Sequence, residues 1–119
     1  MIFFRSLDNK KKYSKYKKRL EEKNIEYCPF CDIKKIIIIK KFKYWFIAES
    51  KFSYDGICKT DNLLVVNRHN SSKEDLSFLE FFEYWNITTE LLNDYDYIIE
   101  DSFKKLDFKN HYYIHLIKV

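Results

Sequence analysis

The stretch His111-Tyr112-Tyr113-Ile114-His115-Leu116-Ile117-Lys118-Val119 closes the chain, with two histidines four residues apart and a tyrosine midway between them. Side chains of an extended strand alternate faces, so His111, Tyr113 and His115 share one face. Tyr112, Ile114 and Leu116 then turn toward a core on the other. Two imidazoles aligned at this period on a terminal strand point to partners elsewhere in the sequence.

Working back from that strand, EDSFKKLDFKN (residues 100–110) reads as a polar loop and DYDYIIED (94–101) as a strand. SSKEDLSFLEFFEYWNITTELLND (71–94) reads as one long helix, with a capping box at Ser71 and Glu74 and acidic residues at the positive end of its dipole. Phe78, Phe82, Trp85 and Leu92 fall on one face of that helix, as core-packing residues do. NLLVVN (62–67) reads as a buried strand running into Arg68-His69. IIIIKK (36–41) and KYWFIAE (43–49) form a β-hairpin, whose four isoleucines point to a strand buried on both faces.

Upstream stands Tyr-Cys-Pro-Phe-Cys, with Cys28 and Cys31 spaced C-x-x-C around the only proline. Two thiolates on such a turn can clasp a tetrahedral zinc ion, act as a redox pair, or be ordinary buried thiols. A thioredoxin-like use places the motif between a strand and a long helix, whereas here a β-hairpin follows. Cys58 has no partner in either scheme and reads as a buried or incidental thiol.

Residues 10–23 carry eight basic and two acidic side chains, a local +6 within a chain of net +4, leaving about −2 for the rest. The segment reads as a basic helix with Tyr13, Tyr16 and Leu20 along one face. It suits contact with nucleic acid, another polyanion or a protein partner, but a solvated helix docked by those three side chains is the favoured reading, because the chain as a whole is not strongly basic.

Composition bounds the rest. A chain of 119 residues, 46% hydrophobic and 19% aromatic, can bury a core as one packed domain. With a single glycine it carries no Gly-rich phosphate loop, which excludes P-loop and dinucleotide-fingerprint readings. No apolar run approaches membrane length, and MIFFRSLDNKKK is unlike a secretory signal, its apolar start being too short and its positive charges following it. Three cysteines, an odd number, fit a reducing compartment, so the expected location is cytoplasmic or otherwise intracellular, with no membrane contact.

The order of these elements, together with three motifs, resembles the histidine-triad (HIT) superfamily of nucleotide hydrolases and transferases. Its signature is His-φ-His-φ-His-φ-φ, φ being hydrophobic, and residues 111–117 overlay it with tyrosine at the middle histidine. LLVVNRHNSSKEDLSFLE resembles the family's strand, basic-His pair and helix start, and CPFCDI the cysteine pair of its zinc-bearing members. The resemblance covers about residues 27–119. It implies an α+β fold with an antiparallel sheet and one long central helix; residues 1–26 lie outside it and read as a basic, helical extension.

Carried over residue by residue, the resemblance assigns Cys28, Cys31, His69 and His111 to a structural Zn²⁺. It puts Tyr113 at the place of the nucleophile that attacks an α-phosphate. A phenol with an ordinary pKa of about 10 is a poor nucleophile at neutral pH, and activation would require a base such as His115. The family's phosphate-holding loop corresponds to the glycine-free loop 100–110, where Ser102, Lys104, Lys105 and Asn110 could meet an anion or simply be solvated. Its Gly-His pair corresponds to Thr60-Asp61. Trp45 and Tyr44 lie on a strand that lines the base pocket in family members, though core packing also suits them.

The expected function is therefore a HIT-like zinc-binding protein, catalytically degenerate, with a residual nucleotide or phosphoester pocket. One alternative is an active nucleotidyl hydrolase or transferase using Tyr113 or His115. Another is a zinc-stabilised module contacting nucleic acid or a protein through residues 10–23. The resemblance also implies a homodimer.

Overall fold

A computed structural model describes residues 4–23, 28–69, 71–91, 93–102 and 110–119. They form a small α+β domain. Helix α1 (Leu7–Lys23) precedes a five-stranded antiparallel sheet of β1 (Ile38–Lys41), β2 (Trp45–Glu49), β3 (Thr60–Val66), β4 (Tyr97–Ile99) and β5 (Tyr113–Lys118). Helix α2 (Phe78–Leu91) lies between β3 and β4 in sequence. The spatial order is β1-β2-β3-β5-β4, so the terminal strand sits inside the sheet, with Leu64 opposite Ile114 and Leu63 opposite His115. Among the described residues, no helix is long and apolar enough to cross a membrane.

Alternation along the strands produces two cores. On the α2 side, Trp45, Ile47, Leu64, Val66, Tyr112, Ile114 and Leu116 pack with Ile87 of the helix. On the other side, Phe46, Ala48, Leu63, Val65 and Tyr113 pack with Phe30. Each such side chain withdrawn fully from water contributes about 1.5–3 kcal/mol. The histidine-bearing face of β5 is thus as buried as its apolar face, because the Cys turn and loop 50–59 cover it.

Two expectations for these elements fail. The isoleucine run is an edge strand, with Ile37 and Ile39 at least half exposed. β1 pairs only with β2, and Lys40 and Lys41 give that edge charges that discourage further pairing. The long helix also begins later than Ser71. Ser71 is buried, its hydroxyl accepting the Tyr112 N–H at 2.9 Å, and Ser72 and Asp75 cap a short 3-10 turn (Lys73–Asp75). Ser77 and Glu80 then form the reciprocal capping pair at the start of α2, with bonds of 2.8 and 3.1 Å.

That later start sets which face is buried. Glu80, Tyr84, Ile87 and Leu91 turn toward the sheet. Phe78, Phe82 and Trp85 are offset by two residues, roughly 200° around the helix, and stand 78%, 55% and 61% exposed. The stripe expected to pack in the core therefore faces outward, joined there by Leu79 and Phe81. Leu92 lies outside the described residues.

Helix α1 is fastened to loop 50–59. Ser6 donates to both Asp55 carboxylate oxygens at 2.7 Å, through its backbone N–H and its hydroxyl. Arg5 Nε donates to the Phe52 carbonyl at 2.8 Å, and Asn9 Nδ2 to the Ser53 carbonyl at 3.1 Å. Tyr13 is buried and Tyr16 and Leu20 are half-buried, while the lysines stay in water.

Candidate metal centre and adjoining cleft

A 3-10 turn over Pro29–Cys31 holds the two cysteines, closed by the Cys31 N–H donating to the Cys28 carbonyl at 3.1 Å. His69 follows the end of β3 and His111 precedes β5. Arg68 fixes the first of these approaches: its guanidinium bonds both Glu80 carboxylate oxygens, at 3.0 and 3.2 Å, and the Asp75 carbonyl at 2.9 Å. The turn bearing His69 is thereby tied to the start of α2.

Four side chains distant in sequence then converge. Cys28 Sγ lies 3.4 Å from His111 Nδ1, Cys31 Sγ 3.4 Å from His69 Nδ1, and Cys31 Sγ 3.7 Å from His111 Nδ1. All four potential ligand atoms lie within 4.8 Å of one another. A tetrahedron with zinc-like bond lengths has edges of roughly 3.3–3.8 Å, so this cluster could hold a metal ion. The imidazole is oriented for it as well, because His111 Nε2 donates to the Val66 carbonyl and leaves the Nδ1 lone pair facing the sulfurs. Burial lowers the His111 pKa, keeping the ring neutral. Burial also pushes the Cys28 thiol up to about 11, so its thiolate requires a cation in the cage.

Further along the same strand, the surroundings reverse. His115 Nδ1 lies 2.8 Å from Asp61 Oδ1, and its Nε2 lies 3.4 Å from Asp101 Oδ2, a charge contact outside hydrogen-bond geometry. Tyr54 stacks on the ring with centroids 4.1 Å apart and donates its hydroxyl to Asp101 at 2.8 Å. The Tyr54 N–H donates to the other Asp61 oxygen at 3.0 Å. Burial alone would lower the His115 pKa, but Asp101 and Asp61 outweigh it and the net shift is upward. Burial pushes the Asp101 pKa up, yet the charge contact with His115 and the hydroxyl of Tyr54 bring it below the usual carboxylate value. Both ring nitrogens thus face carboxylates, which favour the protonated form of the imidazole.

Tyr113 sits between the two histidines, 3% exposed, its ring centroid 5.0 Å from Phe30 and 5.8 Å from His115. It and His115 line a cleft of about 250 Å³ whose other walls include Tyr13, Tyr16, Phe30, Phe52 and Leu63, with Arg5, Lys35, Lys51 and Glu49 as charged groups.

Neither a family model, nor a curated protein, nor a solved structure matches this chain.

The structure brings Cys28, Cys31, His69 and His111 together, and places Tyr113 and His115 in the adjoining cleft. The other sequence candidates lie apart from it. Trp45 is fully buried on the α2 side, its indole N–H donating to the Glu80 carbonyl at 2.8 Å. Ser102 and Asn110 are exposed outside the cleft lining, and Lys104 and Lys105 lie outside the described residues. Cys58 donates to the Tyr54 carbonyl at 3.1 Å. Sequence reasoning missed the roles of Asp61, Asp101 and Tyr54 around His115, and of Arg5 in the cleft. The carboxylates were visible only as departures from a family pattern, and nothing in the sequence marks Arg5.

Proposed function

We propose that this protein is a zinc-stabilised, histidine-triad-like domain that has lost nucleotidyl-transfer chemistry and keeps a pocket for a nucleotide or phosphoester. The observation that carries the reading is the convergence of Cys28, Cys31, His69 and His111, with Val66 orienting the His111 ring. Two thiolates and two imidazoles form a closed set that favours structural zinc, with no position left for a reacting water. The ion supplies a staple between the Cys turn, the end of β3 and the head of β5.

The reaction centre is argued from its two neighbours. Tyr113 occupies the nucleophile's position as a buried phenol among aromatic rings, and both ring nitrogens of His115 are engaged by carboxylates instead of free to take its proton. These features favour a degenerate site over turnover through Tyr113 or His115. The aromatic walls and the cations Arg5, Lys35 and Lys51 suit a planar base bearing phosphate.

The reading is tested by metal analysis of the purified wild-type protein and of Cys28→Ser and His111→Ala, together with calorimetry against AMP and an adenosine phosphoramidate assay. One zinc per chain, lost in both variants, with AMP binding and no turnover, supports it. A metal-free, cooperatively folded wild type removes the zinc staple, and measurable turnover removes the degeneracy. The reading also expects a homodimer through the outer face of α2, where Phe78, Leu79, Phe81, Phe82 and Trp85 form the kind of contiguous apolar patch that monomers rarely expose. Sedimentation of wild type against Phe82→Glu tests it, with a monomeric wild type as the contrary result.

A further inference from the structure

The cleft beside Tyr113 is walled in part by α1, and that helix carries the densest charge of the chain on its outer side. We propose that the cleft seats one base of a single-stranded nucleic acid whose backbone runs outward along α1. The proposal rests on the phosphoester-pocket reading above and narrows it, because the ligand becomes a polynucleotide instead of a free mononucleotide.

The inner side of α1 supplies the stacking surface. Tyr13 and Tyr16 both lie against Phe52, with ring centroids 5.4 and 5.0 Å away, and all three line the cleft. Stacking of a base on aromatic side chains is worth about 1–3 kcal/mol and tolerates any base. Cations stand over these rings: Arg5 is 4.2 Å and Lys17 5.6 Å from the centre of Tyr13, and Lys51 is 4.4 Å from that of Tyr16. Among the described lining residues Glu49 is the one carboxylate, against the cations Arg5, Lys35 and Lys51.

The outer side of α1 supplies more charge than a mononucleotide can use. Lys11, Lys15 and Lys18 are exposed on it, with Arg19 and Lys12 (paired to Asp8 at 3.1 Å) exposed on its flank, and Lys11 to Lys18 covers about 10 Å of helix axis. A backbone crossing that length meets cations throughout, and its neutralisation releases bound counterions. A duplex keeps its bases stacked inside and offers none to a cleft, so a single strand fits the two surfaces together. An acidic polypeptide would satisfy the lysines but leave the aromatic cleft without an occupant.

The test uses the full-length, zinc-loaded protein and a fluorescent single-stranded oligonucleotide of about ten nucleotides. Its anisotropy is followed between about 50 and 200 mM salt. Contact with three phosphates predicts a log–log salt slope of about −2. The triple variant Lys11→Glu, Lys15→Glu, Lys18→Glu is expected to lose tenfold or more in oligonucleotide affinity while binding AMP as wild type does. Tyr16→Ala is expected to weaken both ligands.

Oligonucleotide affinity unchanged in the triple variant would overturn the path along α1. AMP binding without tighter oligonucleotide binding would overturn the proposal and leave the phosphoester pocket standing. Equal binding of heparin or duplex DNA would reduce the surface to a general polyanion contact and so overturn the single-strand assignment. Failure of both AMP and oligonucleotide to bind would sink the pocket reading along with it.

Discussion

His111 and His115 lie four residues apart on the same buried face of one stretch of chain, and their neighbours shift their pKa values in opposite directions. Around His111 are two thiols, a second imidazole and a backbone carbonyl that accepts from Nε2. Burial, with no carboxylate among the described residues that shift it, keeps it neutral, as a metal ligand must be. Around His115 are Asp61 and Asp101, with side chains 0% and 10% exposed, and at a similar depth of burial the pKa shifts upward instead. Depth in the protein does not decide protonation; the charge of the groups that share the burial does.

The comparison is broken most forcefully at His115. Replacing it with glutamine leaves two carboxylates without their cation, and breaking a buried pair in this way typically costs about 3–5 kcal/mol. Urea unfolding of His115→Gln should show a loss of that size. A loss under about 1 kcal/mol would mean the clasp is not an ion pair. The partial rescue expected from adding Asp61→Asn and Asp101→Asn measures how much of the cost is orphaned charge.

At His111 the cost should follow the metal instead of the charge. Zinc held at a hundredfold above its dissociation constant adds about 2.7 kcal/mol to the folded state. Chelation should therefore lower the unfolding midpoint of wild type and leave that of His111→Ala unmoved. Equal sensitivity of the two proteins to chelator would remove His111 from the cage.

The surroundings of His115 should also make stability depend on pH. The His115 pKa is raised above its ordinary 6.5, so its stabilisation is complete below that value and fades as pH climbs through the folded one. Asp101 is lowered from 3.8, so its share is present above that value and fades as pH falls through the folded one. Stability should form a plateau between these limits, with an alkaline decline of at most about 1.4 kcal/mol per pH unit. The alkaline limb should vanish in His115→Gln; its persistence would assign it to another group.

The finest probe is Tyr54→Phe, which keeps the stacked ring and removes the hydroxyl donated to Asp101. Burial, reinforced by Asp101, holds that phenol protonated well above neutrality, so it acts as a donor throughout the useful pH range. Its loss should cost about 1 kcal/mol and shift the alkaline limb slightly upward, since Asp101 then depends more on His115. An unchanged pH profile would place Tyr54 in packing alone.

Much of the scaffold could be read locally. Period-two alternation in residues 111–117 and the run Leu63–Val66 marked strands whose faces the structure fills as two cores. The C-x-x-C turn, the histidine after β3 and the first histidine of the terminal strand converge as a cluster able to hold a metal. The helix reading failed because three nearby serines are equally good caps on paper. Burial of Ser71 under Tyr112 and capture of Arg68 by Glu80 select Ser77, and with it the face that points inward.

By itself, then, the sequence determined which segments extend, which helix bears the charge and which thiols and imidazoles are competent ligands. Those properties reside in spacing and side-chain chemistry, and need no partner to be recognised. Only the tertiary structure decided that His115 lies between two carboxylates, that the isoleucine run lies at an edge, that α2 turns its phenylalanines to solvent, and that α1 walls the cleft beside Tyr113. Each of these depends on what arrives from tens of residues away, as Asp61 and Asp101 do at His115. The energy of a buried charge or an apolar face is set by that neighbour, not by its place in the chain.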